Sequence, residues 1–256
     1  MPPARPQDPP PEAAYTRFAS QYDDWFAPAG GTDTTVAFLA SLAKEAPPGP
    51  LLELGVGTGR IALPLAEQGL AVHGIDSSPR MVTQLRAKPG GRDIPVTIGD
   101  FTAPPAEDEP GTYALVYVAN GTFAELATQA DQLACFRGAA RRLQPGGLFV
   151  LDAHLPEALA TVSSGTRPVN NAGQDFVLCT RSIHPAKQHY VSDYVVLDDG
   201  QLRHVRVTFR YASPGELDLM AAAAGLRLRH RTGGWSGVPF KDSSSYHVSV
   251  YELPTS

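Results

Sequence analysis

Glycine alternates with other residues directly after a short apolar run that contains an acid. Residues 51–60 read LLELGVGTGR, with glycine at 55, 57 and 59 and a glutamate at 53. Glycine is favoured where a backbone turns tightly or approaches another group closely. The group approached at this turn is a phosphate, another part of a cofactor or a neighbouring helix, and the flanking residues bear on that choice.

Two phosphate-binding motifs do not match this turn. The dinucleotide fingerprint requires G-x-G-x-x-G, but the third glycine comes one place early and Arg60 occupies the fingerprint position. A P-loop requires Lys-Ser/Thr after its glycines, and that pair is absent here. The remaining pattern, E-x-G-x-G-x-G, favours a ligand without phosphate.

Acids also end the next two predicted strands. The strand 70–76 ends in Asp76, and the strand 94–100 ends in Asp100, followed by Phe101. Open α/β sheets bind ligands at the carboxyl ends of their strands, where an acid in the position of Asp76 accepts hydrogen bonds from ribose hydroxyls. An adenosine with a cationic or zwitterionic tail suits this edge, and S-adenosylmethionine fits that description.

The elements that must position these acids alternate along the chain. Strands are predicted at 50–54, 70–76, 94–100, 112–120 and 148–154, with helices between them, which is typical of a parallel sheet. Two more helices, 13–27 and 32–44, precede them. Strands without helices follow at 175–183, 188–198 and 201–211, with Asp198-Asp199-Gly200 as a hairpin turn. A helix at 213–225 and strands at 226–231 and 246–253 close the chain.

The combined motifs resemble those of the class I S-adenosylmethionine-dependent methyltransferases. They are LLELGVGTGR, GID at 74–76, GD at 99–100 and LQPGG before the fifth strand. The layout is similar to the sugar-amine and glycine-type N-methyltransferases, in the small-molecule branch of that family. The resemblance implies a Rossmann-like α/β fold: a seven-stranded sheet whose last strand is antiparallel, with an antiparallel insertion after the fifth strand.

The resemblance also implies which residues bind the cofactor. The turn along its methionine part would comprise Glu53, Gly55, Gly57 and Gly59, and Asp76 would bind the ribose hydroxyls. The remaining cofactor-binding residues follow the second, third and fourth strands. Ser77 and Met81 would line the adenine, Asp100 would contact its amino group, and the Phe101 backbone would contact its ring edge. Ala119 and Asn120 would contact the amine of the methionine part. Alternatively, Asp76 and Asp100 only cap the helices behind them.

Methyl transfer depends mainly on holding the nucleophile at attack distance, and it needs a base only if the acceptor is protonated. His154, at the end of the fifth strand, is the candidate base. In related enzymes an N-terminal Tyr-Asp helix covers the cofactor, which makes Tyr22 a second catalytic candidate, since aromatic faces attract a sulfonium. Alternatively, His154 makes an ordinary hydrogen bond and Tyr22 only packs its helix.

Three aromatic residues are candidates for acceptor binding: Phe123, Tyr211 and Trp235. Methyltransferases of nucleobase amino groups carry Asn/Asp-Pro-Pro-Tyr/Phe after the fourth strand, whereas this chain has Asn120-Gly121-Thr122-Phe123. That departure and the net charge of −5 disfavour a nucleic-acid substrate. The seven histidines lack the spacing of metal ligands, so no metal site is predicted. No apolar run has the length of a membrane span.

These patterns predict a cytoplasmic enzyme. A disordered Pro-rich tail (1–12) precedes a cofactor-binding domain formed by 13–155 and 212–256. The segment 156–211 would roof the acceptor site or form a homodimer contact. The predicted activity is methyl transfer to oxygen or nitrogen of a small metabolite in secondary metabolism. A cyclase-type catalyst that binds S-adenosylmethionine without net transfer is the alternative; a nicotinamide oxidoreductase and a non-catalytic interaction module are less favoured.

Overall fold

The computed structural model describes residues 18–20, 22–25, 31–103, 110–161, 166–170, 176–198 and 201–255. The predicted Pro-rich tail (1–12), most of the predicted helix 13–27, and residues 199–200 of the predicted hairpin turn lie outside these ranges. Within them, no helix is both long and apolar enough to cross a membrane.

The strands fall into two groups along the chain. In chain order they are β1 Leu51–Leu54, β2 Val72–Asp76, β3 Val96–Ile98, β4 Tyr113–Val118, β5 Leu143–His154, β6 Thr166–Asn170, β7 Phe176–His184, β8 His189–Asp198, β9 Gln201–Arg210, β10 Arg227–Thr232 and β11 Tyr246–Glu252. The α-helices are α1 Tyr22–Trp25, α2 Thr32–Glu45, α3 Ala62–Glu67, α4 Pro79–Ala87, α5 Gln129–Arg142, α6 Pro156–Thr161 and α7 Pro214–Ala223. A 3₁₀ helix, Thr122–Glu125, follows β4.

The main sheet has seven strands in the order β10-β11-β5-β4-β1-β2-β3. Strands β1 to β5 pair in parallel, and β11 pairs antiparallel with both of its neighbours. The predicted Rossmann-like sheet with an antiparallel last strand is therefore confirmed. Because the chain order reverses between β1 and β4, a crevice is expected at their carboxyl ends, where ligands bind in such folds.

Each face of this sheet carries its own core. Successive residues of a strand point to opposite faces, so Leu51 belongs to the core that packs α2 and Leu52 to the core that packs α5 and α7. Three helices begin with a side-chain cap, from Ser78, Thr128 and Ser213, each accepting a backbone N–H of the first turn.

The predicted antiparallel insertion forms a separate four-stranded sheet in the order β6-β7-β8-β9. Its buried face packs with Phe18 and Leu159 in a third core. The sequence patterns predicted β7, β8 and β9 but not α6 or β6. Strand β6 contains Pro168, which lacks the N–H that a ladder requires, and it lies at the sheet edge, where proline is tolerated.

Candidate functional site

A cleft of about 350 Å³ lies at the carboxyl ends of β1, β2 and β3, beside the 3₁₀ helix. Eight of the predicted site residues line it: Tyr22, Gly55, Gly57, Asp76, Ser77, Met81, Asp100 and Phe101. Four acids line it, namely Asp76, Asp100, Glu125 and Asp131. Among the described residues that line it, none carries a positive charge. The described lining of this cleft therefore favours a cationic ligand and has no positively charged side chain to neutralise a phosphate.

The first two glycines of the turn let it approach its neighbours closely. Gly55 and Gly57 have φ values of 79° and 53°, in the left-handed region that favours glycine. A Cβ at Gly55 would lie 2.7 Å from Thr122 Cγ2, and one at Gly57 would lie 3.4 Å from Met81 Cε. Gly59 has another role, because a Cβ there would lie 2.8 Å from the Leu85 side chain, away from the cleft lining.

The carboxylate of Asp76 is held by backbone N–H groups from two elements. Gly57 N donates to Oδ2 at 2.7 Å, and Ser78 N donates to Oδ1 at 2.8 Å. Burial raises the pKa of Asp76, and these two bonds oppose that rise. Helix α4 is capped by Ser78 rather than by Asp76. Each carboxylate oxygen retains a lone pair for a ligand hydroxyl, so the geometry suits a ribose.

Asp100 and Phe101 form the far edge of the cleft. Both hydrogen bonds to Asp100, from the Thr102 N–H and hydroxyl at 2.8 and 2.7 Å, go to Oδ1. The carbonyl of Phe101 accepts from Arg142 Nη1 at 3.4 Å. The Phe101 ring reaches towards the glycine turn, with Cε1 3.8 Å from the position of a Cβ on Gly55.

Glu53 lies beneath the turn and not on the cleft lining. It is 5% exposed and accepts a hydrogen bond from Tyr117 Oη at 3.0 Å. Burial raises the pKa of Glu53 to about 8. The acid of the E-x-G-x-G-x-G pattern therefore supports the turn from below in this structure.

A strained turn follows β4. Asn120 and Gly121 both have left-handed φ values, 61° and 76°, and Gly121 N donates to both carboxylate oxygens of Asp152 at 3.2 Å. Within the described part of the chain, the buried Oδ1 of Asn120 has no hydrogen-bond partner. An orphaned buried acceptor is costly, and it suits the ammonium that the resemblance places beside Ala119 and Asn120.

Helix α1 is fastened to the glycine turn by Asp23. Its carboxylate accepts from Thr58 Oγ1 at 2.6 Å and from Lys88 Nζ at 2.5 Å. Tyr22 then lines the cleft, with the Arg60 guanidinium 5.2 Å from its ring centroid. Burial, followed by the charge of Glu125, raises the pKa of the Tyr22 hydroxyl.

The sequence patterns did not predict Glu125, the carboxyl of the 3₁₀ helix. It lines the cleft and makes no hydrogen bond to the rest of the described chain. Burial, followed by the charge of Asp76, raises the pKa of Glu125 to about 8. Its only sequence signal is a position five residues beyond Asn120, in a turn that follows a strand, and that signal is weak.

The other predicted residues do not line this cleft. His154 is exposed, with its ring 5.1 Å from that of Tyr246. Phe123 is buried against Phe136, with ring centroids 5.7 Å apart. Trp235 is buried and donates from Nε1 to Tyr246 Oη at 3.1 Å, while Tyr211 packs against the third core. No group of His, Cys, Asp or Glu with the geometry of a metal site occurs among the residues described.

The sheet order, the glycine turn and the acid-lined cleft define a Rossmann-like enzyme domain that binds an adenosyl ligand without phosphate. A family model described as "Methyltransferase domain" matches residues 51–147. The cypemycin N-terminal methyltransferase of a Streptomyces species is 30% identical over 79% of this chain and 82% of that protein.

Solved structures of methyltransferases share the fold of this chain. The CcbJ methyltransferase from Streptomyces caelestis is 35% identical, with a TM-score of 0.82 over 95% of this chain and 99% of that one. CalS10, an amino pentose methyltransferase from Micromonospora echinaspora solved with S-adenosylmethionine bound, has a TM-score of 0.64 over 98% of this chain and 99% of that one, at 21% identity.

The chain belongs to the S-adenosylmethionine-dependent methyltransferases of class I, and its cofactor is S-adenosylmethionine. The residues fit this group, because a carboxylate suited to ribose, a second acid and an orphaned amide oxygen surround a cleft without cationic side chains among its described residues.

Proposed function

We propose that this enzyme methylates an amine nitrogen of a small metabolite, in secondary metabolism. The observation that carries the proposal is Glu125, a cleft carboxyl with a pKa of about 8 and no hydrogen bond to the described protein. The names of similar proteins support it, since one is a cypemycin N-terminal methyltransferase and another an amino pentose methyltransferase.

The chemistry follows from the protonation of amines. An ammonium has no free electron pair, so it must lose a proton before its nitrogen attacks. A carboxylate whose pKa lies near the working pH is suited to accept that proton. Glu125 would take this proton from the ammonium first, which leaves a neutral nitrogen with a free electron pair and a protonated carboxyl. The bound cofactor supplies an electrophilic methyl group on a sulfonium.

Other residues of the cleft position the reactants. Tyr22 covers the cleft and offers an aromatic face to a sulfonium. The left-handed Gly55 and Gly57 keep side chains out of the path between the cofactor and the 3₁₀ helix. His154 stays a predicted base, but the structure places it outside the cleft lining. The roof role of 156–211 is part of this proposal, since the second sheet packs against the 3₁₀ helix through Ala124.

The test measures release of S-adenosylhomocysteine with matched pairs of small amines and alcohols. We expect turnover with amines, and a kcat/KM that rises with pH through about 8, as the Glu125 carboxyl ionises. Glu125→Gln is expected to lower kcat/KM by roughly 10²-fold or more and to abolish that rise.

The control is Asp131→Asn, which alters another cleft acid, one already bonded to Thr128 Oγ1 at 2.6 Å. It is expected to keep most of the activity. Turnover confined to alcohols would overturn the amine proposal. Acceptor conversion without any S-adenosylhomocysteine would instead indicate a cyclase-type reaction.

A further inference from the structure

One arginine lies on the buried face of the second sheet. Strands β7 and β8 are antiparallel, and Arg181 stands directly opposite Ser192. Because side chains alternate along a strand, Arg181 shares a face with Cys179, Tyr190 and Tyr194, which belong to the third core. A guanidinium is an unusual group on such an apolar face.

Arg181 has no polar partner in the described structure. Its Nε is fully buried without a hydrogen bond, and no acid of the described residues forms an ion pair with it. The guanidinium instead lies 4.9 Å from the ring centroid of Tyr190. Arginine carries five N–H donors, and a buried donor without an acceptor costs folding free energy.

Another arginine of this sheet, Arg210, is paired with several polar groups. Arg210 is 4% exposed and donates to Glu216, Gln132 and Gln188 at 2.6, 2.5 and 2.8 Å. Its guanidinium is paired with the carboxylate of Glu216. Arg181 has no such acid among the described residues, which leaves its donors available to an acceptor from outside the described chain.

Arg181 lies on the side of the sheet that faces the cofactor cleft. The third core packs against Ala124 of the 3₁₀ helix, whose next residue, Glu125, lines the cleft. Burial is the main cause of the raised pKa of Tyr190 and Tyr194, and both tyrosines also sense the charges of Arg181 and Glu125. The two tyrosines thus lie within electrostatic range of the guanidinium and of the cleft carboxyl.

We propose that Arg181 binds a carboxylate group of the methyl acceptor, so that the substrates are small amines that also carry a carboxylate. This rests on the proposed function, in which the acceptor nitrogen meets Glu125. The planar fork of a guanidinium matches a carboxylate in two parallel hydrogen bonds. Stacking on Tyr190 fixes the plane of that fork before the ligand arrives.

The first test uses sodium propionate as a carboxylate probe and propionamide as its uncharged match. Thermal unfolding is followed with the protein saturated with S-adenosylhomocysteine. Propionate at roughly ten times its Kd is expected to raise the Tm by about 3 °C. Propionamide, and sodium chloride at equal ionic strength, should leave it unchanged, and Arg181→Gln should abolish the response. The proposal is overturned if propionate leaves the Tm of the wild-type protein unchanged, or if it raises the Tm of Arg181→Gln by as much as that of wild type.

A second pair of variants separates ligand binding from a structural role. Without ligand, Arg181→Leu should unfold at the same temperature as wild type or a higher one, because an unsatisfied guanidinium is removed. Arg210→Leu should unfold at least about 4 °C lower, because Glu216 and Gln132 lose their partner. If Arg181→Leu loses as much as Arg210→Leu, Arg181 is structural.

These outcomes are independent of the amine proposal. Propionate binding is read without turnover, so it stands even if the transferred methyl group goes to another atom. Conversely, if the protein methylates amines but its Tm does not change with propionate, the transferase assignment stands and only the carboxylate site is ruled out. Calorimetry with S-adenosylhomocysteine, expected to be unchanged in Arg181→Gln, verifies that the cofactor site is intact.

Discussion

Individual carboxylates divide the work of the cleft according to their hydrogen bonds. Asp76 is clamped between Gly57 N and Ser78 N, so its position is set before a ligand binds. Asp100 is exposed and bonded through one oxygen only. Glu125 has no such bonds, and its raised pKa suits proton transfer. These environments support the proposed roles, in which Asp76 binds the cofactor and Glu125 accepts the proton.

Asp76→Asn tests the division directly. The amide has no charge, and its NH₂ group cannot accept a hydrogen bond from the backbone N–H of Gly57 or Ser78. The variant therefore loses one of these two bonds and a carboxylate acceptor for the ribose hydroxyls. Hydrogen bonds to a charged group contribute about 1.5–3 kcal/mol each, so the Kd for S-adenosylhomocysteine is expected to rise by roughly 10- to 100-fold, measured by calorimetry.

The matched control is Asp100→Asn, which alters an exposed acid of the same cleft. Its Kd should rise by no more than about tenfold, corresponding to roughly 1.4 kcal/mol. Equal affinity of Asp76→Asn and wild type would contradict the assignment of Asp76 to the ribose.

At the scale of elements, Asp23 is one of the side chains that place α1 on the glycine turn. A helix of four residues has no stability of its own, so its contacts with the rest of the chain hold it in place, among them the bonds from Thr58 and Lys88 to Asp23. Lys88 also donates to the Thr58 carbonyl at 2.8 Å, which joins the end of α4 to the same turn. Asp23 therefore links α1 both to the glycine turn and to the end of α4.

Asp23→Asn should loosen this helix without unfolding the protein. The Asp23–Lys88 pair is partly exposed and contributes about 1 kcal/mol or less to stability, so the Tm should change little. Dissociation of S-adenosylhomocysteine, followed by stopped flow, should become several-fold faster. Glu45→Gln breaks a comparable exposed pair with Arg229, remote from the cleft lining, and should leave dissociation unchanged. If both variants release the ligand at the wild-type rate, α1 does not retain it.

Across the whole molecule, sequence patterns predict what is local and miss what is tertiary. The acids Asp76 and Asp100 were predictable because each ends a strand, and the carboxyl ends of parallel strands meet at one edge. The second sheet was predictable from its alternation of polar and apolar residues. Contacts such as Gly121 with Asp152 were not, because they join segments far apart in the chain. In the sequence, Gly59 has the same spacing as Gly55 and Gly57. Only the structure shows that it packs against Leu85 and does not line the cleft.

The stability of the whole fold should depend on pH through Glu53, which lies between the sheet and the glycine turn. The pKa of Glu53 is about 8 in the folded protein, compared with 4.5 for a glutamate that is not buried. The folded state therefore binds the proton more tightly than the unfolded state. The resulting stabilisation is fully present below about pH 4.5 and is lost as pH rises through about 8. Between pH 7 and 9 the loss from this group is about 1 kcal/mol.

Glu53→Gln cannot ionise, yet its amide oxygen still accepts from Tyr117 Oη. We expect its free energy of unfolding, measured with urea at pH 6, 7, 8 and 9, to gain on wild type by about 1 kcal/mol from pH 7 to 9. Because Glu125 titrates in the same range in both proteins, the difference between them isolates Glu53. Parallel curves for the two proteins would mean that Glu53 is already ionised at pH 7, balanced by charges that its surroundings supply.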